Sequence, residues 1–277
     1  MEHKIVADSS CDLNADLSAK MDVSLVPFKI DIDNESFVDD ANIDMEKLVT
    51  TMLASPNPVK TSCPSPGDFK ETYEDGENVY VVTISKELSA TYNSAILAKD
   101  MILEEKKDKF VHVFNSKSAS VGETLTAIKI KECIDEKLSN KEIVEKVEDY
   151  IEKMMTFFIS EDLSNLIKNG RITKSAGLIA NVLNIKPIMK ATDDGNIEAV
   201  EKVRGSKKAF KRLAEIIGET GVNFEDRVIA ISHANALDKA LELKEDLKKL
   251  NFKDVIIVET KGLSTVYVNN GGIIVSF

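Results

Sequence analysis

Hydroxyl side chains gather at three places in this chain, and clustered hydroxyls can donate hydrogen bonds to an anionic oxygen. The first is Asp8-Ser9-Ser10, which follows the apolar run Ile5 to Ala7. In parallel α/β sheets ligands collect beyond the carboxyl ends of the strands, so this turn is a candidate supporting loop. Ser and Asp also cap helices in any fold. The second is Thr61-Ser62-Cys63-Pro64-Ser65-Pro66-Gly67. Two prolines fix φ there and predict a rigid loop that holds its hydroxyls ready, or a plain turn into a helix from Asp68. The third, Ser85 to Asn93, follows the run Val79 to Ile84 and opens a helix. A helix start offers free amides and a partial positive charge, which suit a carboxylate or a phosphate.

Two basic features follow. Arg171 sits in Asn169-Gly170-Arg171-Ile172, where Gly170 is placed to end a short helix. Its guanidinium can fork onto a carboxylate, although a surface Arg is the plainer reading. Lys202, Arg204, Lys207 and Lys208, continued by Lys211 and Arg212, form a basic knot. Such a run is either a solvated helix face or a docking patch for an acidic partner.

Other chemistries lack their residues. There is no Gly-rich loop ending in Lys-Ser/Thr for a nucleotide and no G-x-S-x-G elbow for a hydrolase. Cys11, Cys63 and Cys133, like His3, His112 and His233, are too scattered for a metal site or a disulfide framework. No catalytic residue, metal ligand or cofactor is expected. Among 277 residues, 47 acids against 36 bases give −11, which argues against nucleic acid. No signal-peptide pattern and no apolar stretch of membrane-spanning length is visible, so a cytoplasmic location is expected.

The elements that must position these groups are legible as periods. Ile5 to Ala7, Val23 to Ile32 (broken at Pro27), Val79 to Ile84 and Phe110 to Phe114 are apolar strand runs. Leu88 to Glu104, Val121 to Leu138 and Lys141 to Met155 have helical spacing. That alternation predicts a mostly parallel sheet with helices on both faces. Beyond Lys153 the pattern changes. Thr156 to Ile159 is a strand, Ser175 to Leu183 a helix, and Ile185 to Ala191 and Ile197 to Val203 a hairpin across Asp193-Asp194-Gly195-Asn196. Helices at Lys207 to Gly218 and Leu237 to Leu250 then alternate with strands at Val228 to Ser232, Val255 to Glu259 and Ile273 to Phe277. The expectation is two α/β domains, residues 1–153 with a parallel sheet and 154–277 with a mixed one, and a ligand cleft between them.

In this order the motifs resemble the DegV family. The resemblance rests on Asp8-Ser9, Val26-Pro27, the loop from Thr61 to Gly67, Leu88-Ser89 with Thr91-Tyr92, Gly170-Arg171-Ile172, Ile185-Lys186-Pro187-Ile188 and Arg204-Gly205. It implies two α/β domains with a buried lipid, similar to the fatty-acid-binding subunit of bacterial fatty acid kinase. That subunit presents a long-chain fatty acid to a separate ATP-dependent kinase subunit, which makes the acyl-phosphate. By this resemblance Thr61, Ser62 and Ser89 face the carboxylate, Arg171 supports them, and Lys202, Arg204, Lys207 and Lys208 lie at the partner surface. Transient contact with a membrane surface is compatible with that role. Two positions depart from the family pattern. Ala90 stands where Gly is usual, and Tyr267, in Tyr267-Val268-Asn269-Asn270-Gly271-Gly272, stands where His is usual. A phenol donates a hydrogen bond but carries no positive charge. The competing readings are a small-molecule phosphotransferase or hydrolase using the same cleft, and a lipid-sensing regulator without chemistry.

Overall fold

The computed structural model describes residues 2–172 and 184–277. The helix expected at Ser175 to Leu183 lies outside the described residues.

Four parallel strands form the first sheet: β1 (His3–Asp8), β2 (Val23–Val26), β6 (Asn78–Thr83) and β7 (Phe110–Asn115), in the order β2-β1-β6-β7. β6 is buried along its whole length, as a central parallel strand covered on both faces must be. On one face Ile5, Tyr80 and Phe114 pack against Ile130, Ile143 and Val147, from α5 (Val121–Asp135) and α6 (Asn140–Lys153). On the other, Val6, Val81 and Val111 meet Phe69, Tyr73 and Ala98, from α3 (Pro66–Tyr73) and α4 (Thr91–Glu105). α3 and α6 start at reciprocal capping boxes, Ser65 with Asp68 and Ser139 with Glu142.

The mixed sheet joins β8 (Thr156–Ile159), β9 (Ile185–Ala191), β10 (Ile197–Arg204), β11 (Val228–His233), β12 (Asp254–Glu259) and β13 (Ile273–Ser276), in the order β10-β9-β8-β13-β11-β12. Its β9–β10 hairpin is antiparallel, as the turn residues require. Phe157, Ile231 and Val275 pack on Leu213, Ile217 and Leu243, from α8 (Ser206–Glu219) and α9 (Leu237–Leu247); α7 (Ser164–Lys168) precedes Gly170. The opposite face carries Phe158, Met189 and Ile274, which meet Val121 and Leu125 of α5. α5 therefore serves both sheets.

A third sheet is not legible in the sequence. β3 (Lys29–Ile32), β4 (Glu35–Val38) and β5 (Lys60–Ser62) form an antiparallel unit in the order β4-β3-β5. Val23 to Ile32 is thus two strands in two sheets, divided at Pro27, which cannot donate to a ladder. Ile30 and Ile32 pack with Leu48 and Met52 of α2 (Met45–Ala54) and with Val266 of α10 (Gly262–Val268). α1 (Ala15–Met21) links β1 to β2, capped by the Asn14 side chain at the Leu17 amide.

Candidate functional site

A cavity of about 420 Å³ lies between the sheets, within the range of roughly 300–1,000 Å³ typical of small-ligand sites. The strand order reverses direction between β1 and β6, and that switch point is where open α/β sheets hold ligands. Every parallel strand delivers wall residues from its carboxyl end: Ser10 after β1, Phe28 after β2, Ile84, Leu88, Ser89 and Ala90 after β6, and Lys117, Ser118 and Ala119 after β7. The mixed sheet contributes Thr156, Phe158 and Ile274, and the β9–β10 hairpin adds Ala191, Gly195, Asn196 and Ile197. Leu263, Ser264, Tyr267 and Val268 come from α10.

Thr61, Ser62, Ser89, Arg171 and Tyr267 all line this cavity. Thr61 and Ser62 were expected in a loop. They end strand β5 instead, and Thr61 pairs with Ile30. The proline-rich loop begins only at Cys63. Ser62 lines the cavity and is exposed. The Thr61 Oγ1 and Tyr267 Oη hydroxyls lie 2.8 Å apart. Ser89 Oγ lies 2.7 Å from Thr91 Oγ1 and accepts the Thr91 N–H at 3.3 Å. In each pair one hydroxyl proton makes the mutual bond, which leaves the other for a ligand. Ala90 is the N-cap of α4 at φ −73, a conformation that needs no glycine.

Arg171 ties two loops together. Its Nε donates to the Leu88 carbonyl at 2.9 Å, and its Nη1 donates to that of Asn169. Gly170, at φ +72, turns the chain so that the Arg171 amide returns to the Leu166 carbonyl at 2.8 Å. Of the Asp8-Ser9-Ser10 turn, Ser10 alone lines the cavity. Asp8 and Ser9 hydrogen-bond the backbone of wall residues Ile84 and Phe28 instead. The Asp8 carboxyl accepts the Ile84 and Ser10 amides at 2.8 and 2.9 Å. Ser9 Oγ donates to Asp39 at 2.8 Å and accepts the Phe28 amide at 3.0 Å.

Behind the wall lies a buried acidic group of which sequence reasoning singled out only Asp8. Asp12 accepts from Ser120 Oγ at 2.5 Å and from the Lys261 amide at 2.7 Å. Burial, only partly offset by these bonds, raises the Asp8 and Asp12 carboxyls to about 7 each. Glu123 is fully buried, and neither of its oxygens has a partner among the described residues. Burial and the neighbouring Asp8 push its carboxyl well above the usual range. Asp12 and Glu123 have no sequence signal, because isolated carboxylates look alike in a chain with 47 of them.

Lys202, Arg204, Lys207 and Lys208 are exposed on β10 and the first turn of α8. Among the described residues none of them forms an ion pair. Arg212, on the same helix, is by contrast tied to Glu201 at 2.9 Å, Glu215 at 3.3 Å and Glu219 at 2.6 Å.

A family model described as uncharacterised protein, DegV family, matches residues 2–277. A DegV domain-containing protein of Streptococcus pneumoniae is 34% identical, with the match covering 100% of this chain and 99% of the relative. The chain belongs to the DegV family. Solved DegV structures agree in fold. A DegV protein of Ruminococcus gnavus described with vaccenic acid has TM-score 0.95 at 44% identity, covering 99% of both chains. The fatty acid kinase B3 protein of S. pneumoniae, loaded with linoleic acid, has TM-score 0.92 at 33% identity, covering 100% of this chain and 99% of its own. A DegV protein of Eubacterium eligens loaded with heptadecanoic acid has TM-score 0.93 at 31% identity, covering 99% and 98%. The two α/β units, one parallel and one mixed, are thus the DegV fold. No helix among the described residues is long and apolar enough to cross a membrane.

Proposed function

We propose that this DegV protein binds one long-chain fatty acid in the cavity and presents its carboxylate to a separate ATP-dependent kinase subunit. It acts as a binding subunit rather than a self-sufficient enzyme, with residues 1–153 and 154–277 as its two domains. The observation that carries this reading is the wall chemistry. Phe28, Ile84, Leu88, Phe158, Leu166, Ile197, Leu263 and Ile274 give an apolar lining, and the polar groups among them are mainly hydroxyls with Lys117 and Arg171. Burying an acyl chain contributes about 0.8 kcal/mol per CH₂, so a chain of about 16 carbons supplies on the order of 10 kcal/mol before entropic costs. A carboxylate cannot follow it without donors, and Thr61, Ser62, Ser89 and Tyr267 supply them. Structural relatives described with vaccenic, linoleic and heptadecanoic acids support the ligand class. The kinase subunit is supported by the fatty acid kinase B3 relative and by the exposed bases of β10 and α8.

Ser89→Ala tests the head group. A neutral donor to a charged group contributes about 1.5–3 kcal/mol, so the variant should bind the acid roughly tenfold to a hundredfold more weakly. A fatty alcohol of equal chain length should bind the wild type less well and respond less to the change. Equal losses for acid and alcohol would make Ser89 a structural hydroxyl of the α4 start.

A further inference from the structure

The Thr61–Tyr267 hydroxyl pair joins two elements that have no covalent reason to meet. Thr61 belongs to the small sheet and Tyr267 to α10, 206 positions along the chain. α10 has seven residues, too few to be stable as an isolated helix, so its contacts decide where it lies. Its first amides need acceptors, and the small sheet supplies one side chain for two of them. Asp39 follows β4, is 3% exposed, and anchors its own amide on the Phe28 carbonyl at 2.9 Å. Its Oδ1 accepts the Gly262 N–H at 2.8 Å, and its Oδ2 accepts the Leu263 N–H at 2.9 Å. Ser9 Oγ, 2.8 Å from the same Oδ2, holds the carboxylate from behind. Gly262 shows how closely the helix seats. A Cβ there would lie 2.6 Å from Asp39 Oδ1, 2.8 Å from Ile43 Cδ1 and 2.9 Å from Ile30 Cδ1. Nothing larger than hydrogen fits between the helix start and the sheet.

We propose that Asp39 is a positioning residue that docks α10 on the small sheet and so sets the Tyr267 hydroxyl against Thr61 at the head-group end of the cavity. Val266 anchors the helix in the core of the small sheet, but apolar contact is not directional. The paired hydrogen bonds to Asp39 fix how far along the sheet the helix sits, and Tyr267 is little more than one turn further on. Without Asp39 the helix keeps its apolar seat and loses its register, and the hydroxyl pair separates. This rests on the fatty-acid reading for its consequence, though not for its geometry.

The test uses the full chain and two perturbations of the same joint: Asp39→Ala, which removes the acceptors, and Gly262→Ala, which wedges the helix off the sheet. Hexadecanoic acid and hexadecanol are the probes. Each variant should weaken the acid by about tenfold and the alcohol by less than about threefold. Combining Asp39→Ala with Tyr267→Phe should cost little more than Tyr267→Phe alone, because both act through one hydroxyl. Equal weakening of acid and alcohol, or fully additive losses, would overturn the proposal. A second readout needs no ligand. In fluorotyrosine-labelled protein, the Tyr267 fluorine resonance, assigned by its loss in Tyr267→Phe, should move in Asp39→Ala and Gly262→Ala toward its position in Thr61→Val. An unmoved resonance would also overturn the proposal. If the wild type bound neither probe, the fatty-acid reading would fall, and this resonance would still decide the role of Asp39.

Discussion

Glu123 sits in an environment that opposes its charged form. Both oxygens are buried and without partners among the described residues, so its neutral form is the one the fold favours. Glu123, Asp8 and Asp12 all have carboxyls raised above their unfolded values, the last two to about 7. The folded chain therefore holds protons that the unfolded chain releases. The stability linked to these groups is complete below the unfolded pKa, near 4, and is lost as pH rises through the folded one. Glu123→Gln removes one such group. Its urea midpoint should match the wild type near pH 4 and exceed it increasingly as pH rises above that; a pH-independent difference would contradict this. The hydroxyls of the site were legible because Thr61, Ser62 and Ser89 sit in dense Ser/Thr clusters beside apolar runs. Asp39 and Glu123 were not, since only burial distinguishes them from solvated acids.

At the scale of elements, long periodic segments declared themselves and short ones did not. α5 and α6 carry enough residues to show a period, and β6 and β7 stand out as apolar runs. β3, β4 and β5 have four, four and three residues, and β5 finds its partner only after α2 has intervened. α10 is built from Gly, Leu, Ser, Thr, Val, Tyr and Val, mostly indifferent helix formers, so tertiary contact rather than propensity makes it helical. The β9–β10 hairpin was legible from its turn, but its destination was not. Ser85 Oγ donates to the Gly195 carbonyl at 2.7 Å, clasping the hairpin tip onto the loop after β6. A Cβ at Gly195 would lie 2.3 Å from Ser85 Oγ and 2.9 Å from Lys117 Cα, at φ +87. Gly195→Ala should lower stability by about 1–3 kcal/mol and speed release of a bound fatty acid. Urea unfolding and stopped-flow displacement check the two effects, and a variant with wild-type midpoint and release rate would show that the clasp does not hold the cavity shut.

Across the whole molecule, a net charge of −11 sets off the bases of β10 and α8. An exposed basic patch steers an acidic partner and affects association more than stability. Arg204→Glu should reduce acyl-phosphate formation in a reconstituted pair with the kinase subunit while leaving fatty-acid affinity unchanged; loss of both together would indicate misfolding. The two large sheets were legible as a change from strand–helix alternation to a hairpin-containing pattern. The way α5 and the buried acids join them was not, because it depends on contacts between distant segments, such as Asp12 with the Lys261 amide. Fatty-acid carriage requires occupancy of the cavity between those sheets. Native mass spectrometry of the purified 30.6 kDa chain should show a single retained adduct of long-chain fatty-acid mass, restored after delipidation by adding one equivalent of the acid. A chain that carries no such adduct and takes up none when the acid is supplied would contradict it.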